Sequence, residues 1–518
     1  MSFIFRSAVL VVFIWGIFYV DQSPAQDTIS EDHPKVGLVL SGGAAKGFAH
    51  IGVLKVLEEV GIYPDYITGT SMGAIIGGLY SLGYSASDIA EMVKHTNWDK
   101  ILTDRVPMNK IVMEEKAIAD RFLIKFPIRN YEFKLPSGLN EGYQLEKLFA
   151  DLTWGATGIR QFDSLSIPFH CMAVDIIDGK LIEFTSGNLP TAMRASMGIP
   201  GIFAPTQKDS MVLVDGGVIR NFPVQEVIDM GADIVIGVYV GIERNVTPED
   251  LFSLSDIISR TTLLSGVFDA KKQMGNTDIL IMPNMDEVKA ADFMNGNKII
   301  SQGEIAAREL YDSLKTLADR LNLHSEPPEK LEGPKEVYIS EVDAVNLRYV
   351  NKPFVIGKGG IFPNKYVTKK DIEKSVDRIF GTRYFKKVGY ELKRQGTNQY
   401  KLIYRVKEST RAFIKGALHY DNQRGAGLIL NTTFRNYLIQ DSRFNITANI
   451  AENPGIRANI YQYFGKRQNF MGRYLFLLER SDLPVFYEGD DVGNFLYQSL
   501  QAGVGLGYNF NINRQIGL

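Results

Sequence analysis

The spacing of apolar residues changes along this chain, and that change constrains its fold more than any other feature. From about Lys35 to Pro334, short apolar runs alternate with helical stretches. The pattern predicts a buried strand at Val36–Leu40, a helix over Gly47–Val60, a strand at Tyr66–Thr68 and a helix over Met72–Leu82. It predicts further strands at Phe169–Val174, Met211–Val214 and Ile234–Val240. Strands alternating with helices predict an α/β domain whose central, mostly parallel sheet is covered on both faces. From Arg411 onward the period becomes two and stays there. In Arg443–Ile450, Phe444, Ile446, Ala448 and Ile450 alternate with Arg443, Asn445, Thr447 and Asn449. Leu500–Ile512 repeats the pattern, with glycines and asparagines on the polar side. Strands of about ten residues, apolar on one face and polar on the other, predict a membrane β-barrel more readily than a sandwich of strands of about 5–6 residues.

Between these regimes, His324–Lys335 is rich in proline and charge and reads as a linker. Beyond it a small α+β unit is expected: a strand at Val337–Val342, a helix over Thr368–Ile379 with Thr368 as its cap, and strands at Lys387–Lys393 and Gln399–Val406. At the other end, Arg6 followed by the apolar run Ala8–Val20 and by Ser23-Pro24-Ala25 reads as a signal peptide cut before Gln26. Such a run is shorter than the roughly 20 residues needed to cross a bilayer. The expected division is therefore 1–25 signal peptide, 26–334 α/β domain, 335–408 α+β unit and 409–518 barrel segment. About six barrel strands are discernible, short of the minimum of about eight for closure. Two readings follow: a barrel cut short, or one completed between copies in a homo-oligomer.

A formal net charge of −2 gives no basic field, so nucleic acid is not expected as a partner. The single cysteine, Cys171, forms no internal disulfide, and no cysteine cluster suggests a metal. No cofactor is expected.

Three segments carry chemistry. Gly69-Thr70-Ser71-Met72-Gly73 is a G-x-S-x-G between a predicted strand and helix. Its glycines permit a tight turn that projects the serine hydroxyl at the positive end of the helix. None of the six histidines falls in an obvious position to act as base, and His50 reads as a packed residue of the first helix. Asp215-Gly216-Gly217 supplies a carboxylate at the end of the Met211–Val214 strand, expected at the carboxyl edge of a parallel sheet, with two glycines giving access to it. Ser41–Gly47 is a glycine-rich loop after the first strand, able to offer backbone N–H groups to an oxyanion. Ile75, Ile76, Leu79, Ile202 and Phe203 are candidates for an acyl groove.

GGAAKG at 42–47, GTSMG at 69–73 and DGG at 215–217, in that order, resemble the patatin-like phospholipase family. So do AHIGVLKVLEEVGI at 49–62, ASMGIPGIFAP at 195–205 and DGGVIRNFP at 215–223; the resemblance covers about Lys35 to Leu314. It implies a Ser–Asp dyad acting on acyl esters of phospholipids or lysophospholipids, with Ser71 as nucleophile and Asp215 as base. It also implies oxyanion donors at the amides of Gly42, Gly43 and Ala44, with Lys46, Gly47, Gly69, Gly73, Gly216 and Gly217 as supporting motif positions. Ala44 departs from the family's usual glycine, and Lys46 from a frequent arginine. The unit at 335–408 resembles a POTRA domain, and the region from Arg411 the start of an Omp85-type barrel. Together they are similar to the patatin proteins of Gram-negative outer membranes, with the hydrolase facing the periplasm or the cell surface. A competing expectation is a translocation or assembly protein whose α/β domain is cargo or inactive. A third is a lipid-binding module without catalysis.

Overall fold

Val36–Leu40 is four apolar side chains and one glycine, all buried, as a strand covered on both faces requires. The computed structural model describes residues 34–116, 118, 121–129, 132–133, 140–241, 254–321, 327–421, 425–465, 468–511 and 514–518. The expected signal peptide and His324 lie outside them. In the first part of the chain the strands are β1 (Val36–Leu40), β2 (Tyr66–Thr70), β3 (Ile124–Arg129), β4 (Glu132–Phe133), β5 (Phe169–Asp175), β6 (Lys180–Phe184), β7 (Thr206–Lys208), β8 (Met211–Asp215), β9 (Ile234–Val238) and β10 (Ile279–Ile281).

Eight of these form one sheet ordered β10-β9-β1-β2-β5-β8-β7, with β6 also on β5. The pairings from β10 through β5 are parallel. Those of β5 with β6, β5 with β8 and β7 with β8 are antiparallel. This corrects the expectation that Asp215 ends a parallel strand, because β8 runs the opposite way. Helices Ala49–Val60 and Met72–Tyr80 follow β1 and β2 and contribute most of their side chains to the core.

A second sheet is built from β11 (Val337–Val345), β12 (Lys365–Val367), β13 (Phe385–Gly396) and β14 (Gln399–Glu408), in the order β12-β11-β14-β13. Its helix Lys369–Gly381 is capped by Thr368, whose side chain accepts from the Asp371 N–H while Asp371 reaches back in a capping box. A further helix at Lys352–Gly359 was not evident from the sequence; Asn351 caps it, with Pro353 in its first turn.

The third sheet comprises β15 (Ala412–Asp421), β16 (Gly425–Arg435), β17 (Ser442–Ile450), β18 (Gly455–Phe464), β19 (Phe470–Tyr487), β20 (Asp490–Asn511) and β21 (Arg514–Gly517), all antiparallel neighbours. The polar alternates Lys415, Asn431, Thr433, Arg435 and Arg443 are buried, whereas Leu418, Leu428, Ile446, Leu500, Val504 and Leu506 are exposed. This sheet is thus turned inside out relative to a soluble one. Its first edge is occupied by β3, antiparallel to β15, with β4 beyond, giving nine strands. Two strands from within residues 26–334 therefore belong to the C-terminal sheet, which the sequence division at 334 did not anticipate.

Candidate active site

The register of β5 brings two distant residues together. Along one edge, β6 pairs with every residue from Cys171 to Asp175. β2 and β8 must therefore share the other edge, where β2 ends opposite Met172 and β8 arrives from the opposite direction to end opposite Ala173. Ser71 is the residue after Thr70, the last of β2, and Asp215 is the last of β8. The two strands meet head to head, and their side chains touch: Ser71 Oγ donates to Asp215 Oδ2 at 2.7 Å.

Ser71 holds φ 54° and ψ −121° between β2 and the Met72–Tyr80 helix, a left-handed conformation disfavoured for a residue with a Cβ. Close packing leaves the turn little alternative. A Cβ on Gly73 would stand 2.1 Å from the Leu40 carbonyl oxygen, and one on Gly69 2.6 Å from that of Gly73. The Ser71 N–H donates to Ser196 Oγ at 2.9 Å, which ties the elbow to the Leu189–Ser196 helix. Gly47 admits Met72 in the same way, since its Cβ would stand 2.4 Å from Met72 Cγ.

Asp215 is braced on both sides. Its Oδ1 accepts from the Gly217 N–H at 2.8 Å, and its own N–H donates to the Gly198 carbonyl at 3.1 Å. Gly216 lies too close to the Met172 carbonyl, 2.5 Å from where its Cβ would be, to carry a side chain. Ser71 and Asp215 are each 3% exposed. Burial raises the Asp215 carboxyl from 3.8 to about 6, against the hydrogen bonds from Ser71 and Gly217.

The Ser41–Gly47 loop reaches the same point. A Cβ on Gly42 would lie 3.0 Å from Ser71 Cβ. Its N–H donates to the Asn221 carbonyl at 3.2 Å, and Asn221 Nδ2 returns a bond to the Gly42 carbonyl at 3.3 Å. Gly42 is therefore engaged and is not a free oxyanion donor, contrary to expectation. No acceptor among the described residues takes the N–H of Gly43 or Ala44. Gly43 is extended, and Ala44 sits at φ 50°, the conformation for which glycine is the usual choice. Lys46 is half-buried, and its N–H donates to the Gly43 carbonyl at 3.1 Å, closing the loop's turn.

The histidines among the described residues are accounted for elsewhere. His50 donates from Nε2 to the Ser41 carbonyl at 2.8 Å and is held neutral by burial, which lowers it to about 4. His170 is bound between Glu183 and Asp163, His95 pairs with Glu91, and His419 contacts Asn449. Of the proposed acyl-groove residues, Ile75, Ile76, Leu79 and Phe203 are buried core, and Ile202 is exposed. Ser196 and Asn221 are site residues that sequence reasoning did not single out, although both fall inside motif blocks. Asn221 lies six positions after Asp215 and ties the segment after the carboxylate to the oxyanion loop.

Residues 38–228 match the family model described as patatin-like phospholipase. An uncharacterized NTE family protein of Mycobacterium tuberculosis is 31% identical over 205 residues, covering 40% of this chain and 49% of that protein. A lysophospholipase of Emericella nidulans is 30% identical over 305 residues, covering 54% of this chain and 18% of its own length. Patatin-like phospholipase domain-containing protein 7 of Rattus norvegicus is 33% identical over 231 residues, covering 44% and 15%. The chain thus spans 49% of the first of these relatives and 18% and 15% of the other two. Among solved structures, VipD from Legionella pneumophila gives a TM-score of 0.31 at 14% identity, covering 54% of this chain and 67% of that one. BamA from Haemophilus ducreyi lacking POTRA domains 1–3 gives 0.29 at 13%, covering 37% and 35%. Similarities this distant say nothing about function.

Proposed function

We propose that the chain, whose residues 38–228 match the patatin-like phospholipase family model, is a serine ester hydrolase that cleaves acyl esters of phospholipids or lysophospholipids through an acyl-serine intermediate. The observation that carries this reading is the 2.7 Å hydrogen bond from Ser71 Oγ to Asp215 Oδ2. Ser71 Oγ attacks the acyl carbonyl while its proton passes to Asp215. The N–H groups of Gly43 and Ala44 receive the charge that develops on the carbonyl oxygen. As the tetrahedral intermediate collapses, Asp215 returns the proton to the departing glycerol oxygen. Water then attacks the acyl-serine, with Asp215 taking its proton and delivering it to Ser71. A carboxyl raised to about 6 by burial is still largely ionised at neutral pH, and it is a stronger base than an ordinary aspartate.

A lysophospholipase among the relatives supports a lipid substrate. The outward apolar alternates of the third sheet, with its polar alternates buried, support an outer-membrane barrel segment. In this reading the four-stranded unit is POTRA-like and the whole is exported to the outer membrane of a Gram-negative bacterium, as a monomer or homo-oligomer.

The test is hydrolysis of phospholipid and lysophospholipid in mixed micelles by the full chain. Ser71→Ala and Asp215→Asn should each lower the rate by about 10³ or more while the fold persists by circular dichroism. Undiminished turnover in either variant would reject the dyad. Inactivity of the wild-type chain on every acyl ester would favour the assembly-protein reading.

A further inference from the structure

A cavity of about 420 Å³ lies where the second and third sheets meet, remote in sequence from Ser71 and Asp215. Its walls carry four cations, Lys358, Lys365, Arg378 and Arg443, against one carboxylate, Glu114. These come from separate elements: Lys358 from the Lys352–Gly359 helix, Arg378 from Lys369–Gly381, Lys365 from β12 and Arg443 from β17.

The polar groups here are incompletely satisfied. Arg443 is 1% exposed; its Nη2 donates to the Thr382 carbonyl at 2.9 Å and its Nε lies 3.5 Å from Glu115. Its Nη1 and the buried hydroxyl of Tyr384, which also lines the cavity, have no hydrogen-bond partner among the described residues. Lys358 Nζ donates to the Gln468 carbonyl at 3.3 Å, while Glu114 accepts from Asn509 at 3.2 Å. Gathering like charges around one partly open cavity is unfavourable unless an anion offsets it, and leaving a buried guanidinium N–H unpaired costs more than pairing it. Donors converging from several directions suit an anion with several acceptor oxygens, and an arginine fork suits phosphate in particular.

We propose that this cavity binds a phosphate-bearing anion, either free phosphate or the phosphate of a lipid headgroup. Burial draws the Lys358 ammonium down to about 8 against the pull of Glu114, with Arg443 adding to the fall; a bound anion would reverse that. The site does not depend on the hydrolase reading, because none of its residues touches the dyad.

The test is calorimetric titration of inorganic phosphate into the detergent-solubilised full chain in a phosphate-free buffer. Saturable binding is expected, weakened about tenfold or more by Lys358→Met and by Arg443→Gln, since each removes a charge-assisted bond. Arg443 also holds Glu115, so if R443Q does not fold, Lys358→Met and Lys365→Met decide the matter. Competition by nanodiscs containing phosphatidic acid, and not by phosphatidylcholine alone, would identify the lipid source. Phosphate binding without that competition would identify free phosphate. Absence of saturable binding by the folded chain, or affinity unchanged in both lysine variants, would overturn the proposal.

Discussion

Asp215, the proposed base, sits where an ionised carboxylate is disfavoured. Burial raises it from 3.8 to about 6, so keeping it charged in the folded chain costs about 3 kcal/mol at neutral pH. Its folded value lies above its unfolded one. The stability it contributes is therefore complete below about 3.8 and lost as pH rises through about 6. Asp215→Asn should accordingly be the more stable protein at pH 7 in denaturant melts, with the difference narrowing toward pH 4, although it is inactive. Hydrolysis by the wild type should fall about tenfold per pH unit below about 6, in step with loss of the carboxylate. Ala44, at φ 50°, pays a left-handed penalty of roughly 1–2 kcal/mol, and glycine there would recover it at a chain-entropy cost of about 0.5–1. Ala44→Gly should thus shift stability by no more than about 1.5 kcal/mol and keep activity, whereas Gly73→Ala, driven into the Leu40 carbonyl, should lose about 3 kcal/mol or more and activity with it.

Among elements, the joint between β3 and β15 holds the first part of the chain to the last. Glu115, buried on the short Met113–Lys116 helix just ahead of β3, receives Arg435 of β16 at 2.7 Å and Arg443 of β17 at 3.5 Å. Burial alone would raise this carboxyl, but Arg435 and Arg443, with Lys415, hold it down to about 2. Its stability is present above its ordinary value near 4.5 and is lost as pH falls toward 2. Glu115→Gln leaves two buried guanidiniums uncompensated and should cost about 3–5 kcal/mol in unfolding experiments. Little of this joint was legible in sequence. Ile124–Arg129 is interrupted by Pro127, which cannot donate to a ladder and argues against a central strand; here it sits opposite Phe413 on a strand near the sheet's edge. The Lys352–Gly359 helix was hidden by Gly357 and Gly359, poor helix formers. The elbow at Ser71, the carboxylate at Asp215 and the capped helix after Thr368 were readable because each has local chemistry. The strand direction of β8 and the engagement of Gly42 by Asn221 were not, because both depend on partners far along the chain.

At the scale of the molecule, an α/β domain that matches the patatin-like phospholipase model is joined to a sheet whose apolar side chains face outward. Val504 is 77% exposed on β20, and in the proposed membrane setting an arginine there would cost about 2–4 kcal/mol near the bilayer midplane. Val504→Arg should therefore reduce recovery in the outer-membrane fraction without altering the turnover of solubilised chain. The dyad is tested most directly by reacting the purified full chain with a fluorophosphonate and mapping the modified peptide. One adduct on Ser71 Oγ is expected, absent from Ser71→Ala and formed far more slowly in Asp215→Asn. An adduct on a different residue, or labelling of Asp215→Asn at the wild-type rate, would contradict the pairing of this serine with this carboxylate.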